Sequence, residues 1–405
     1  MAMQMTEQGL QTAKEALDVS IIIPCLNEEM TVGECVTNAR GWLERSGMTG
    51  EVLVVDNAST DRTSEVAAEA GARVLAESRP GKGNAFQTGV RESRGRYLVM
   101  SDGDGTYDLS DLNPIIEPLK QGYDMVIGNR LKGEMEEGSM PRLHRVVGNP
   151  VFNWLIRMIT GQRMGDVLSG LRAFTREAWE TMRPTSSGFE LESEICLRAG
   201  RNNLRVTDVP IPYAVRREPS KLRGLTHGWA IARFIILESA DLILIYPGIL
   251  AVLLGIVSLV IGVGASEGVD VGSVRWQPVF AGGILVPGGI AFVTVGVAAK
   301  WLAWRRGVAS AGRTVRLLAG ERVPVGDYFL LAGVLSLLSG VVLDAYLLGR
   351  WTADDPPSLA LGLGAVAQTL VVAGLNLVVA AVLIDVLRAQ PRSEAPAGDS
   401  DVEQS

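Results

Sequence analysis

Short apolar, β-branched runs alternate with stretches of helical spacing over roughly the first 235 positions, and much longer apolar runs fill the remainder. "VSIIIPCLNEE" predicts a buried strand that ends in a turn, and "MTVGECVTNARGWLER" a helix behind it. "EVLVVDNAST" is a second strand ending at Asp56, and "DRTSEVAAEAGA" a helix opened by the cap types Ser59, Thr60 and Asp61. "RVLAES" is a third strand, "RPGKGNAFQTGVRES" a glycine-rich loop entering a helix, "RYLVMSDGDG" a fourth strand and "DMVIGNR" a fifth. This alternation predicts an α/β domain with a mostly parallel, Rossmann-like sheet covered on both faces. Ligands of such sheets bind beyond the carboxyl ends of the strands. Pro24 to Glu28, Asp56, Lys82 and Asp102 to Asp108 all fall at those ends.

Beyond residue 235 the pattern changes class. Four apolar runs, Leu242–Val263, Val279–Ala299, Tyr328–Leu348 and Leu359–Leu387, each reach the ~20 residues that a bilayer-crossing helix needs. "THGWAIARFIILESADL", just before them, predicts an amphipathic helix at the membrane surface. "PRLHRVVGNPVFNWLIRMITG" reads either as a second interfacial helix or as a core helix. The expected organisation is an extension over 1–18, a soluble domain over 19–223, a juxtamembrane helix over 224–241, a four-helix transmembrane domain over 242–388 and a disordered tail over 389–405. Lys300, Arg305, Arg306, Arg313, Arg316 and Arg322 gather around the loop after the second span, against Arg275 and Arg350 on the other side. That asymmetry predicts a multi-pass protein of the cell membrane with its soluble domain in the cytoplasm. The first residues carry no apolar core of signal-peptide length, which points the same way. The spans also leave room for homo-oligomers.

Composition narrows the chemistry. The 405 residues carry a formal charge of −7, which gives no footing for nucleic acid. Cys25, Cys35 and Cys196 are scattered thiols without CxxC spacing, and His144 and His227 are the only histidines. Carboxylates and basic side chains must do the work. The densest acidic run is "SDGDGTYDLSDL". As a calcium loop opening at Asp102 it would need Gly and Glu at its sixth and twelfth places, which hold Tyr107 and Asn113. Asp102 and Asp104 follow a strand expected at the sheet centre, where charge is costly unless used. Two carboxylates one residue apart can share a divalent ion, Mg²⁺ or Mn²⁺, and that ion can bridge a diphosphate. Asp108 and Asp111 open the next helix and read as structural. Arg79 and Lys82 in "RPGKG" put cations and open backbone beside phosphates, although the loop lacks the spacing of a Walker A. Glu190, Glu192 and Glu194 in "GFELESEI" read either as a solvated helix face or as one sugar-facing acid among three.

Taken in order, "VSIIIPCLNEE", "VVDNASTDRT", "RPGKGNAFQTG", "DGDGTYD", "VIGNR", "GDVLSGLRAF" and "SKLR" resemble family 2 glycosyltransferases, and within them the polyprenyl-phosphate (dolichol-phosphate) mannose or glucose synthase group. The likeness covers about Val19 to Leu222. It implies a GT-A fold and inverting transfer of a hexose from a nucleotide diphosphate sugar, GDP-mannose or UDP-glucose, to polyprenyl phosphate. By that resemblance Pro24, Leu26, Glu28 and Asp56 would cradle the nucleotide, with Arg79, Lys82 and Asp102 beside the diphosphate. Asp102 and Asp104 would hold the metal, and Thr106 stands where relatives often carry Gln. Arg130 with Arg142 or Arg145 would hold the acceptor phosphate. Asp166, Ser169 and Arg172 match the acceptor-side segment, and Lys221 would close over the diphosphate. Two rivals remain: a transferase acting on another membrane lipid such as diacylglycerol, and a non-catalytic nucleotide-sugar-binding scaffold.

Overall fold

The computed structural model describes residues 17–217, 224–265, 268–271, 274–305, 325–353 and 360–389. Lys221, Arg306, Arg313, Arg316, Arg322, most of the N-terminal extension and most of the tail lie outside them. The chain divides into two compact units at Ile235–Ile236.

The first unit is built on a seven-stranded sheet. Its elements run β1 (Leu17–Cys25), α1 (Val32–Ser46), β2 (Gly50–Asp56), α2 (Thr63–Glu69), β3 (Arg73–Ala76), α3 (Lys82–Glu92) and β4 (Gly95–Met100). They continue with α4 (Asn113–Lys120), β5 (Met125–Asn129), α5 (Asn149–Thr160), β6 (Arg172–Thr175), α6 (Arg176–Met182), α7 (Leu191–Arg201) and β7 (Val206–Pro210). A single π turn, His144–Gly148, precedes α5. The strand order is β3-β2-β1-β4-β6-β5-β7. All neighbours are parallel except β6, which runs antiparallel to β4 and β5. The five strands expected from the apolar runs are present. β6 and β7 were not legible: "RAFT" and "VTDVP" are short, and polar residues interrupt both. The central strands are buried on both faces, as helix-covered parallel strands are, and Ile21, Ile22, Ile23, Leu53, Val54 and Val99 are fully enclosed.

Parallel strands end on one edge, and the antiparallel β6 begins there. Met100 pairs with Arg172, and Arg172 with Ile127. The loops after β1, β2, β4, β5 and β7 therefore converge with the loop before β6. On the opposite choice left open above, α5 is no core helix: it buries only Asn149 and Ile156. Leu143, Val146, Val151, Trp154 and Met158 of this segment are exposed.

Helix α8 (Gly224–Glu238) runs across the division of the chain. The second unit holds a π turn (Asp241–Ile245), then α9 (Tyr246–Gly264), the short strands β8 (Val269–Val271) and β9 (Val274–Trp276), α10 (Pro278–Arg305), α11 (Val325–Thr352) and α12 (Ala360–Ala389). Among the described residues, four segments are long and apolar enough to cross a membrane: Asp241–Gly264, Pro278–Leu302, Gly326–Thr352 and Ala360–Leu387. They match the expected spans to within about one helical turn.

The two helical hairpins follow one packing rule. A Cβ placed on Gly248 would stand 2.8 Å from the Gly289 carbonyl oxygen and 2.9 Å from Val293. On Gly333 it would stand 2.9 Å from the Gly374 carbonyl and 2.9 Å from Val378. Gly255 meets Val286 as Gly340 meets Val371, at 2.8 Å in both. A constant shift of 85 residues (248 to 333, 289 to 374) carries every member of the first set onto the second. Glycine at these seats lets the helix backbones approach closely, the usual device where no water drives association. Gly255→Val would force a branched side chain against the Val286 backbone and lower stability by about 1–3 kcal/mol. Gly264→Ala, where an added Cβ meets nothing within 4 Å, should be silent. Thermal unfolding of the full chain in detergent compares the two.

Candidate active site

The acidic run leaves β4 as a tight loop. Thr31 donates its hydroxyl to the Gly103 carbonyl at 2.6 Å, tying the loop to the start of α1. Asp104 is 2% exposed; one carboxylate oxygen takes the Thr106 N–H (3.0 Å) and hydroxyl (2.6 Å). Thr106 therefore orients Asp104. The other oxygen of Asp104 is ion-paired to Arg216. Asp102 keeps 22% of its side chain exposed and pairs with Lys82 at 2.5 Å. Asp108 and Asp111 accept the Ser110 and Asn113 N–H groups, the structural role expected of them.

Lys82 opens α3. Its Nζ reaches Asp102 on one side and Glu192, at 2.6 Å, on the other. Burial alone would push this ammonium down, but the two carboxylates outweigh it and hold its pKa above the ordinary lysine value. Burial likewise works against the Asp102 carboxylate, and Lys82, then Arg216 and Arg130, hold it below the usual range. The loop before Lys82 is shaped by Asn57. Its amide donates to the carbonyls of Glu77 (2.9 Å) and Arg79 (2.7 Å), and its oxygen accepts the Gly81 N–H at 2.7 Å. Gly81 has φ +125°, and a Cβ there would lie 2.2 Å from the Ser187 carbonyl, so only glycine fits. Arg79 turns back to Glu77, with contacts of 3.0 and 2.7 Å. The Arg79 pair and the Thr88 hydroxyl bring the Glu77 pKa down to about 2.

Glu192 and Glu194 overturn the solvated-face reading, since both are buried. Glu194 accepts the Thr185 and Ser186 N–H groups and pairs with Arg198. Glu190 accepts the Gly188 N–H at 3.3 Å.

After β5, Arg130 forms a two-pronged pair with buried Asp166 at 2.7 and 2.8 Å, and its backbone N–H adds a third contact. Its guanidinium stacks over Tyr213, 5.2 Å from the ring centroid. Ser169 and Arg172 are fully buried. Arg172 donates to the carbonyls of Val167, Ser169 and Glu192, so the guanidinium braces the segment from within and does not face an acceptor. Tyr107 accepts the Gly170 N–H at 2.7 Å and joins this brace to the acidic loop. Arg142 and Arg145 sit on the exposed turn before α5 and make no ion pair among the described residues.

The strap after β7 crosses the acidic loop. Ala214 donates its N–H to the Thr106 carbonyl, Val215 its N–H to Glu136, and Arg217 pairs with Glu34. Nothing in "AVRREPSKLR" marks Arg216 over its neighbours, so sequence alone gives no signal for it. Pro24 ends in the sheet, paired with Val55, while Leu26 is 37% exposed and Glu28 nearly buried. Glu28 receives a tie from across the edge, its N–H donating to the Thr63 hydroxyl. Asp56 accepts the Ser59 N–H (3.0 Å) and Ser64 hydroxyl (2.8 Å), which closes the second loop. All three cysteines are buried, and burial pushes the Cys35 thiol up to about 12, so it stays protonated at neutral pH.

Two measurements test this layout. Asp166→Ala leaves the Arg130 charge buried without its partner and should lower stability by about 3–5 kcal/mol on thermal unfolding. The Glu77 carboxylate, at about 2 when folded against an ordinary 4.5, contributes stability that is whole above the unfolded value and lost as pH falls through the folded one. Arg79→Met should therefore be less stable than wild type at neutral pH, and the gap should close between about pH 4.5 and 2.

The description "Glycosyl transferase family 2" matches residues 20–182. The low-salt glycan biosynthesis hexosyltransferase Agl6 of Haloferax volcanii is 36% identical over 281 residues, 69% of this chain and 67% of that protein. A dolichyl-phosphate hexose transferase of the same organism is 31% identical over 220 residues, 54% of this chain and 92% of that protein. Among solved structures, glucosyl-3-phosphoglycerate synthase from Mycobacterium tuberculosis, in complex with Mn²⁺, UDP and phosphoglyceric acid, aligns at 25% identity and a TM-score of 0.44, covering 58% of this chain and 82% of that one. The chain belongs to glycosyl transferase family 2, and within it stands with the dolichol-phosphate hexose synthase group as a hexosyltransferase.

Proposed function

We propose that this protein moves a hexose from a nucleotide diphosphate sugar to polyprenyl phosphate at the cytoplasmic face of a membrane, giving the polyprenyl-phosphate hexose used in glycan assembly. The observation that carries the reading is the matched pair of ions at the carboxyl edge: Asp102 with Lys82 and Asp104 with Arg216. The chain's own cations occupy both carboxylates. A ligand that brought a cation for Asp102 and Asp104, and anionic oxygens for Lys82 and Arg216, would satisfy all four. A metal-bound diphosphate is such a ligand.

The donor set fits Mg²⁺ or Mn²⁺. Both take hard oxygen ligands, and Mg²⁺ is commonly held by one or two carboxylates with substrate phosphates and water completing the shell. Asp102 and Asp104 would hold the ion, whose bound charge stabilises the leaving diphosphate. Lys82 and Arg216 would face the phosphoryl oxygens. Pro24, Leu26, Glu28 and Asp56 would line the nucleotide pocket, and Lys221, outside the described residues, would follow the strap over the donor.

A phosphate monoester is anionic at neutral pH and attacks without a strong base. Arg130, held rigid by Asp166, would offer it charge, with Arg142 or Arg145 reaching it from the turn before α5. The exposed apolar side chains of that turn and of α5 support a helix lying in the headgroup region, where the acceptor lipid presents its phosphate. A diacylglycerol acceptor would need a carboxylate free to take a proton. Asp102, Asp104, Asp166 and Glu192 are each committed to a cation, which favours the phosphate.

The test is a membrane assay with polyprenyl phosphate, Mg²⁺ or Mn²⁺, and either UDP-glucose or GDP-mannose. One donor should give lipid-linked sugar in a metal-dependent way, and Asp104→Asn should lower the rate by about 100-fold or more. Nucleotide-sugar binding without transfer to any lipid would sink the enzymatic reading. Transfer to diacylglycerol but not to polyprenyl phosphate would replace the acceptor.

A further inference from the structure

Glu192 is buried more deeply than its expected roles require. It stands in the first turn of α7, 4% exposed. One carboxylate oxygen holds Lys82, and the other is enclosed without a hydrogen-bond partner. Its backbone carbonyl is fixed by Arg172 at 3.0 Å. An enclosed carboxylate with an unsatisfied oxygen is costly to keep, and Lys82 has a second carboxylate, Asp102, within 2.5 Å. A lysine bridging two acids needs only one of them to stay charged. The second acid matters once the first is taken away.

A divalent ion seated on Asp102 would take it away. The backbone of Lys82 could not follow, because Gly81 and Gly83 press against the carbonyls of Ser187 and Ser186. We propose that Glu192 is a positioning residue for Lys82: it takes over the whole ammonium when Asp102 turns to the divalent cation, and so keeps that charge in the site for the donor's diphosphate. This rests on the reading of Asp102 and Asp104 as the cation's ligands. Glu192 then sets how readily the cation enters, acting through Lys82. Without Glu192 the ammonium has one carboxylate left, and the cation must compete for it.

The experiment measures Mn²⁺ binding to the full-length protein in detergent, without donor, by electron paramagnetic resonance of the free ion. Wild type should bind, and Asp104→Asn should not. Glu192→Gln should weaken binding on the order of tenfold, within the range that partners of metal ligands contribute. Lys82→Met should tighten binding, and in that background Glu192→Gln should change nothing. Glu192→Asp keeps the charge with a shorter reach and should fall between wild type and Glu192→Gln; it serves as the comparison if the Gln variant does not fold by thermal unfolding. Wild-type affinity in both Glu192 variants, or an equal loss with and without Lys82, overturns the proposal while leaving the metal site standing. A wild type that binds no Mn²⁺ overturns both.

Discussion

The buried ammonium of Lys82, shared between Asp102 and Glu192, is the contact on which the site depends. Three loops far apart in sequence meet there: the turn into α3, the exit of β4 and the entry to α7. Each brings charge that the interior would reject alone. The glycines on either side of Lys82 allow the approach, since Gly81 and Gly83 lie where a side chain would strike the 186–187 backbone. Asn57 then sets the loop's path with three hydrogen bonds. Neighbouring pairs repeat the logic: Arg216 on Asp104 and Arg130 on Asp166 each place a cation beside the edge and hold it with an acid. The result is an edge whose cations and acids are already gathered and paired with one another.

Much of this was readable from the chain. Strands with long β-branched runs, such as "VSIII" and "EVLVV", declare themselves through burial on both faces. The membrane-length helices declare themselves by length alone. The carboxylate pair was legible because charge directly after a central strand needs a use. The rest depends on contacts that sequence does not carry. β6 and β7 are four and five residues long, and their place in the sheet comes from pairing with neighbours. Arg172 is an acceptor-side residue only by the resemblance; its burial among three carbonyls makes it a brace. Arg216 and Asn57 carry no local mark, and both become important only through partners 112 and 24 positions away, Asp104 and Gly81. For Glu192 and Glu194 the sequence leaves a solvated face and a sugar-facing acid both open, because helical periodicity cannot tell solvent from a buried cation.

The same arrangement makes no use of proton transfer by histidine. A chemistry of proton transfer needs a group poised near neutral pH. At this edge the partners hold the Lys82 ammonium above the ordinary lysine value and the Asp102 carboxylate below the usual range. Such groups attract and orient; they do not exchange protons. That character suits hexosyl transfer, in which negative charge gathers on the departing group and must be matched.

The 85-residue spacing of the glycine seats also aligns charged positions of the second unit. The two hairpins, matched by this shift, each contain two spans, so equivalent helices of the two follow the same order along the chain. The same shift places Asp241 on Gly326 and Lys300 on Asp385. In the first hairpin Asp241 and Lys300 form an ion pair. In the second, the acid is on the other helix and lies against Gly326. The second hairpin thus repeats the packing seam of the first with different charges at its end. The first hairpin is locked at that end by an ion pair between its two helices, and the second seats its acid over a glycine of the facing helix.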